Sequence, residues 1–316
     1  MDFAETVKTG SSLLIEGAVI ERLRRNPDVT LDPHILHAGL IYDTAGRETL
    51  SRIHRQYLDI GLAHRLPMII LTPTWRASRE RMKQAGFGDD RDVNGDCVRF
   101  MSSLRSQYGS YAHKIFIGGN TACAGDAYRF EEALSVKEAP AFHRYQVRVL
   151  ADAGVDFLLA STLPAASEAL GIAMAMAGCE IPYVLSFVLK PNGELLDGTP
   201  LHEAILSIDA STNPAPFFYM ANCVHPTTFE TALTSEVRKF PAAAQRLIGL
   251  QANASPKSPE ELERLSDTES TDPEDLAESM LELRRIFGTR ILGGCCGTDE
   301  RHIASLARKM KGASRE

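Results

Sequence analysis

Residues 271–293 read Thr-Asp-Pro-Glu-Asp-Leu-Ala-Glu-Ser-Met-Leu-Glu-Leu-Arg-Arg-Ile-Phe-Gly-Thr-Arg-Ile-Leu-Gly. The first part is written as a helix. Thr271 and Asp272 offer N-caps, Pro273 suits the first turn and Gly288 ends the pattern. The run Thr289–Gly293 is too short for a helix and is closed by glycine, so it reads as a strand buried on both faces. Helix followed by buried strand is the repeating unit of an α/β protein.

The unit recurs outward from this stretch. Strands are expected near Ser12–Glu16, Met68–Thr72, Lys114–Gly118, Val155–Ala160, Pro182–Phe187, Pro216–Ala221, Arg246–Gln251 and Thr289–Gly293. Helical spacing falls between them at Glu48–Ala63, Pro140–Ala153, Leu163–Gly178, Thr227–Phe240 and Pro273–Phe287. Eight such strands in 316 residues fit a (β/α)8 TIM barrel, which needs ~250 residues. A doubly wound sheet would give the same alternation. However, no Gly-x-Gly-x-x-Gly follows the first strand, where Glu16 leads into Gly17-Ala18-Val19-Ile20, and no phosphate-loop motif occurs. The expectation is one barrel domain over residues 1–316, with loop insertions at Gly86–Asp96 and Asn253–Thr271.

Thirty-four Lys and Arg against 41 Asp and Glu leave a net charge of −7, which argues against nucleic acid or an anionic membrane as partner. No apolar run approaches the ~18–20 residues of a membrane span. Met1-Asp2-Phe3-Ala4-Glu5 lacks the basic start of a secretion signal, so a cytoplasmic location is expected. Six cysteines are too few for a disulfide scaffold, and in a reducing compartment closely placed ones point to metal or catalysis.

Cys295 and Cys296 are adjacent in Gly293-Gly294-Cys295-Cys296-Gly297-Thr298, directly after the eighth strand. Cys223 follows the sixth in Ala221-Asn222-Cys223. A barrel brings all strand C-termini to one face, where three thiols can hold Zn2+ and leave the fourth position open. Neighbouring side chains on a strand point to opposite faces, so the pair can share one ion only at a sharp bend, which Gly294 and Gly297 permit. His225 is the nearest candidate for a fourth ligand. A three-thiolate site is a poor activator of water but suits holding an incoming thiol as thiolate at neutral pH, which is the chemistry of alkyl transfer to sulfur. Cys97, Cys123 and Cys179 read as small buried hydrophobes.

At these residues the chain resembles the homocysteine S-methyltransferase family. Gly293–Thr298 matches the family's zinc motif, and Asn222-Cys223 with Pro226 resembles its Asn-Cys motif. Thr72-Pro73-Thr74-Trp75 resembles its Thr-x-Thr-aromatic segment, and Ala153–Asp156 with Thr162-Leu163-Pro164 its fourth strand. The resemblance implies Zn2+ on Cys223, Cys295 and Cys296, and a substrate-facing rim of Glu16, Gly17, Ala18, Thr72, Thr74, Trp75, Ser161, Thr162 and Asn222. It implies methyl transfer to a thiol such as homocysteine, giving methionine; the donor expected is a small sulfonium or betaine-like quaternary amine, or a partner-bound methyl group.

Two positions depart from the family pattern. Glu16 stands where the family has Asp. Ser161 stands where it has the Glu that holds the homocysteine ammonium, and losing such a contact costs roughly 1.5–3 kcal/mol, about one to two decades of affinity. Either Glu16 holds the ammonium alone or the acceptor is a different thiol. Trp75 and Tyr42 are candidates to face an onium donor. Gly118-Gly119-Asn120 could present amides to a substrate carboxylate, and Glu168 is a conceivable substitute for the missing carboxylate. The competing readings are a non-catalytic zinc or thiol-binding protein, and a barrel metal hydrolase, which would want His and carboxylate ligands at strand ends. Homo-oligomerisation is compatible with such a barrel, but nothing in the sequence specifies an interface.

Overall fold

The computed structural model describes residues 2–88, 90–256 and 270–312. Eight parallel strands close in sequence order into a barrel: β1 (Leu13–Ile15), β2 (Met68–Leu71), β3 (Ile115–Thr121), β4 (Phe157–Leu163), β5 (Tyr183–Phe187), β6 (Phe218–Val224), β7 (Leu247–Ala252) and β8 (Ile291–Gly294). β8 pairs with β1 through Leu13↔Ile291 and Leu14↔Leu292, which completes the ring. The doubly wound alternative is thereby excluded.

Strand residues alternate between two cores, as the period of two requires. Ile15, Leu71, Phe116, Leu159, Val184, Met220 and Ile291 fill the barrel interior. Their neighbours Leu14, Ile70, Leu158, Leu185, Leu250 and Leu292 pack outward against the helices. Helix Pro273–Phe287 has the caps read from its sequence, with Asp272 accepting from Glu274 N and Gly288 left-handed at φ 71°. No described helix is long and apolar enough to cross a membrane.

A short helix at Phe3–Lys8 was not expected. Asp2 and Glu5 close it with a reciprocal capping box, and it seats Phe3 against the N-terminal end of the barrel. There Phe3 stacks on Phe157 at 4.0 Å between ring centroids.

Several boundaries move. β3, β4 and β6 run on to Thr121, Leu163 and Val224, so Gly118-Gly119-Asn120 is strand rather than turn, and Ser161, Thr162, Asn222 and Cys223 belong to strand ends. The helix after β4 starts at Ala166 instead of Leu163. The insertion expected over Gly86–Asp96 is overlapped by helix Val93–Ser106, which Asp92 caps by accepting from Gly95 N. The insertion expected over Asn253–Thr271 lies mostly outside the described residues.

Candidate metal centre at the C-terminal rim

The interior parity of the strands carries straight up to the mouth of the barrel. Two residues beyond Leu159, Val184 and Met220 stand Ser161, Ser186 and Asn222, and four beyond Phe116 stands Asn120. Apolar side chains fill the barrel below, and polar ones line its C-terminal end, where they pair across strands. Ser161 Oγ donates to Asn120 Oδ1 at 2.8 Å, and Ser186 Oγ donates to Asn222 Oδ1 at 2.7 Å.

Cys223 should point away from Asn222 by the same parity. It does not, because β6 shifts register between Asn222 and Val224 and Cys223 takes a left-handed φ of 58°. Such a bulge re-aims a side chain at the end of a strand. Cys295 and Cys296 sit in a tight turn after β8. Cys295 N donates to Ala252 O at 2.7 Å, Cys296 O accepts from Ala254 N at 2.9 Å, and Thr298 Oγ1 closes the turn on Cys295 O at 2.7 Å. Gly294 is required here, since a Cβ would lie 2.1 Å from Thr298 Oγ1.

The three sulfurs lie within 4.8 Å of one another, with Cys223 and Cys295 at 2.8 Å and Cys295 and Cys296 at 4.0 Å. Asn222 Nδ2 donates to the Cys223 sulfur at 3.2 Å. Hydrogen bonds from Cys295 and then Cys296 hold Cys223 well below the usual thiol range. The same bond to Cys223 pushes Cys295 up, and Cys296 is pushed up to about 12. A tetrahedral zinc ion with Zn–S bonds of about 2.3 Å sets neighbouring sulfurs about 3.8 Å apart. The present spacings bracket that value, and the all-sulfur donor set is one zinc favours. His225 does not join them: its Nδ1 lies 2.8 Å from Thr227 Oγ1 and caps the following helix.

The other rim residues are placed as follows. Glu16 is buried at the end of β1; its Oε2 accepts from Leu71 N at 3.1 Å, and His54 Nδ1 stands 3.2 Å behind it. Gly17 packs against Tyr57, whose hydroxyl would be 2.8 Å from a Cβ. Ala18 N donates to Thr298 Oγ1 at 3.1 Å, so that amide supports the cysteine turn. The Thr72 and Thr74 hydroxyls, 2.7 Å apart, bind the backbone of Asn120 at 2.9 and 2.6 Å and lock β2 to β3. Thr162 is gripped by Asn222.

Three expectations need correcting. The Asn120 amide is taken by Thr72, which removes it as a carboxylate donor site. Tyr42 donates to Asp96 at 2.6 Å and lies under the Arg91 guanidinium at 4.7 Å, which makes it part of an outer cluster with Phe87. Glu168 cannot stand in for the missing carboxylate, because it is committed to His143 and to the Ala124 and Leu134 amides. Trp75 is half-buried, with Arg76 at 5.5 Å from its ring. One neighbour of the cluster escaped the sequence reading altogether. It is Tyr128, whose phenol is pushed up by the charge on the Cys223 sulfur and then by burial.

Residues 13–310 match the family profile described as Homocysteine S-methyltransferase. The homocysteine S-methyltransferase of Escherichia coli (strain K12) is 31% identical over 311 residues, covering 93% of this chain and 94% of the relative. Bovine betaine–homocysteine S-methyltransferase 1 is 22% identical, over 97% of this chain and 74% of its own. Among solved structures, the metallated form of the Escherichia coli homocysteine methyltransferase MmuM superposes with a TM-score of 0.77 at 22% identity, covering 97% and 99% of the two chains. With the profile spanning nearly the whole barrel and its cysteine rim, the chain belongs to the homocysteine S-methyltransferase family, a family of methyltransferases.

Proposed function

We propose that the chain is a zinc-dependent thiol S-methyltransferase that moves a methyl group from a small sulfonium or betaine-like donor to homocysteine, giving methionine. The observation that carries this reading is the convergence of the Cys223, Cys295 and Cys296 sulfurs within 4.8 Å at the barrel mouth. These three would hold the ion. Bound there, zinc would keep an acceptor thiol deprotonated at neutral pH, where a free thiol with a pKa of ~8.5 is mostly protonated. Asn222 steadies the Cys223 sulfur by its 3.2 Å hydrogen bond. Glu16, with Oε2 fixed by the Leu71 amide, is the carboxylate available to an acceptor ammonium. The rim aligns acceptor and donor, and alignment of two reactants is a large share of the rate in such a transfer.

A second reading keeps the chemistry and changes the acceptor. The Ser161 hydroxyl is spent on Asn120, so β4 offers no carboxylate to an α-amino group. Calorimetric titration of homocysteine into zinc-loaded protein, in two buffers of different ionisation enthalpy, separates the two. Binding with release of about one proton per site supports thiolate capture from homocysteine. No binding at full zinc occupancy favours a thiol without an α-amino group. A protein that takes up no zinc refutes both.

A further inference from the structure

Glu16 and His54 are both buried and meet between two elements, the end of β1 and the helix Thr44–His64. The backbone of Glu16 is fixed on both sides, its N–H donating to Ile69 O at 3.1 Å and its carbonyl accepting from Gly294 N at 3.2 Å. Its side chain is fixed at one oxygen only. Oε2 accepts from Leu71 N at 3.1 Å and has His54 Nδ1 at 3.2 Å, whereas among the described residues none donates to Oε1. His54 lies on the buried stripe of its helix, beside Leu50, Ile53 and Leu58. Tyr57, three residues on and so on the same face, donates from its hydroxyl to Ala18 O at 2.8 Å. One helix face therefore reaches both the carboxylate of Glu16 and the backbone two residues later.

An imidazole has two nitrogens, and their surroundings here are unlike. His54 Nε2 is buried with no hydrogen-bond partner, so a proton there would be stranded. A bare Nδ1 would set its lone pair against a carboxylate oxygen. One proton, on Nδ1 and turned toward Oε2, avoids both costs. We propose that His54 is the positioning residue of Glu16: with the Leu71 amide it holds Oε2, and so presents Oε1 to the ammonium of the acceptor. At 3.2 Å the contact is not aligned as a full hydrogen bond, and such contacts commonly tighten when substrate binds. A fixed carboxylate on β1 matters the more because β4 offers only Ser161, whose hydroxyl is committed to Asn120. The inference rests on the proposed function in taking the homocysteine ammonium for the group that Glu16 meets; the pairing of His54 with Glu16 does not depend on it.

Two measurements on the full-length protein test this. Proton–nitrogen correlation spectra of the imidazole rings report where the His54 proton sits. A proton on Nδ1 whose signal moves in Glu16→Gln is expected; a proton on Nε2 alone, or a ring that Glu16→Gln leaves unmoved, overturns the pairing. Calorimetry on zinc-loaded protein then compares homocysteine with its desamino analogue, the same thiol and carboxylate without the amino group. His54→Leu should bind homocysteine about tenfold more weakly, the weight of one hydrogen bond to a charged group, and the desamino analogue as well as wild type does. His54→Asn, whose Nδ2 can take the place of Nδ1, should recover most of the loss. In the Glu16→Gln background His54→Leu should add nothing, because both act through the same contact. An equal loss for both thiols, or a loss undiminished in Glu16→Gln, would make His54 a packing residue and overturn the proposal. The spectra need no change at His54, so they decide the pairing even if His54→Leu does not fold. A wild type that holds zinc but binds no homocysteine refutes the acceptor reading instead, and the ring signals then decide alone whether His54 holds Glu16.

Discussion

Asn222 holds Thr162 at both ends. Its Nδ2 donates to Thr162 Oγ1 at 2.7 Å, and its Oδ1 accepts from Thr162 N at 2.8 Å. Thr162 and Cys223 both take left-handed φ values, 60° and 58°, conformations that cost a non-glycine residue of order 1–3 kcal/mol each. One amide thus braces the strained residue it grips across the barrel and the strained residue beside it. Asn222→Ala should lose about 2–4 kcal/mol, from a stranded buried amide and relaxing backbone. Urea unfolding checks this, and a loss below half a kcal/mol would show that the two conformations need no brace.

The cysteine turn tolerates no side chain at Gly293. A Cβ there would lie 2.0 Å from the Ile15 carbonyl oxygen, whereas one at Gly178 meets nothing nearer than 3.7 Å. Gly293→Ala should cost about 3 kcal/mol by overpacking against backbone, and Gly178→Ala should stay within about 0.5 kcal/mol of wild type. Thermal melts of both variants make the comparison.

Each of Cys223→Ser, Cys295→Ser and Cys296→Ser should bring bound zinc from one equivalent to near zero after gel filtration. Cys179→Ser, outside the cluster, should leave it unchanged. Elemental analysis reads both, and full zinc in any of the three would remove that residue from the proposed ligand set.

Ser161→Glu would restore a carboxylate on β4 at the expense of the bond to Asn120. Homocysteine should bind about ten times more tightly or better, the weight of a charge-assisted contact, while a thiol lacking the amino group should gain nothing. Calorimetry on the two acceptors tests the difference, and equal gains would mean that the new carboxylate does not meet the ammonium.

His37 is buried, and burial first, then the neighbouring His54, lowers its pKa to about 3. A folded pKa below the unfolded value near 6.5 means that the unfolded chain binds the extra proton. The stabilisation is therefore complete above about pH 6.5 and is lost as pH falls toward 3. Between pH 6 and pH 5 the protein should lose about 1 kcal/mol from this group, close to the limit of 1.36 kcal/mol per pH unit. His37→Asn should flatten that slope in urea titrations, and an unchanged slope would place the sensitivity elsewhere.

The barrel was legible because its strands are short apolar runs. Those runs stop where the barrel stops being apolar. β3, β4 and β6 each continue three residues past the expected ends at Gly118, Ala160 and Ala221. The extra residues are the polar rim, Asn120, Ser161, Asn222 and Cys223 among them, so hydrophobic patterning ends a strand at the point where its chemistry begins. The meeting of the three cysteines could be read from topology, since strand ends converge. The bracing of Thr162 by a residue sixty positions on could not, because no local pattern encodes a cross-barrel pair. Tyr128 was invisible for a related reason: it sits in a loop whose Ala124 and Leu134 amides bond to a carboxylate on another element, Glu168. The Phe3–Lys8 helix, by contrast, carried its signal openly in the Asp2 and Glu5 capping box.

That small helix has a consequence for the folded core. Phe3, stacked on Phe157 and edge-on to Phe116 at 5.6 Å, closes the apolar interior at the end opposite the cysteines. Residues 2–8 therefore belong to the folded barrel rather than to a tail, and removing them would open the floor of its packed interior to water.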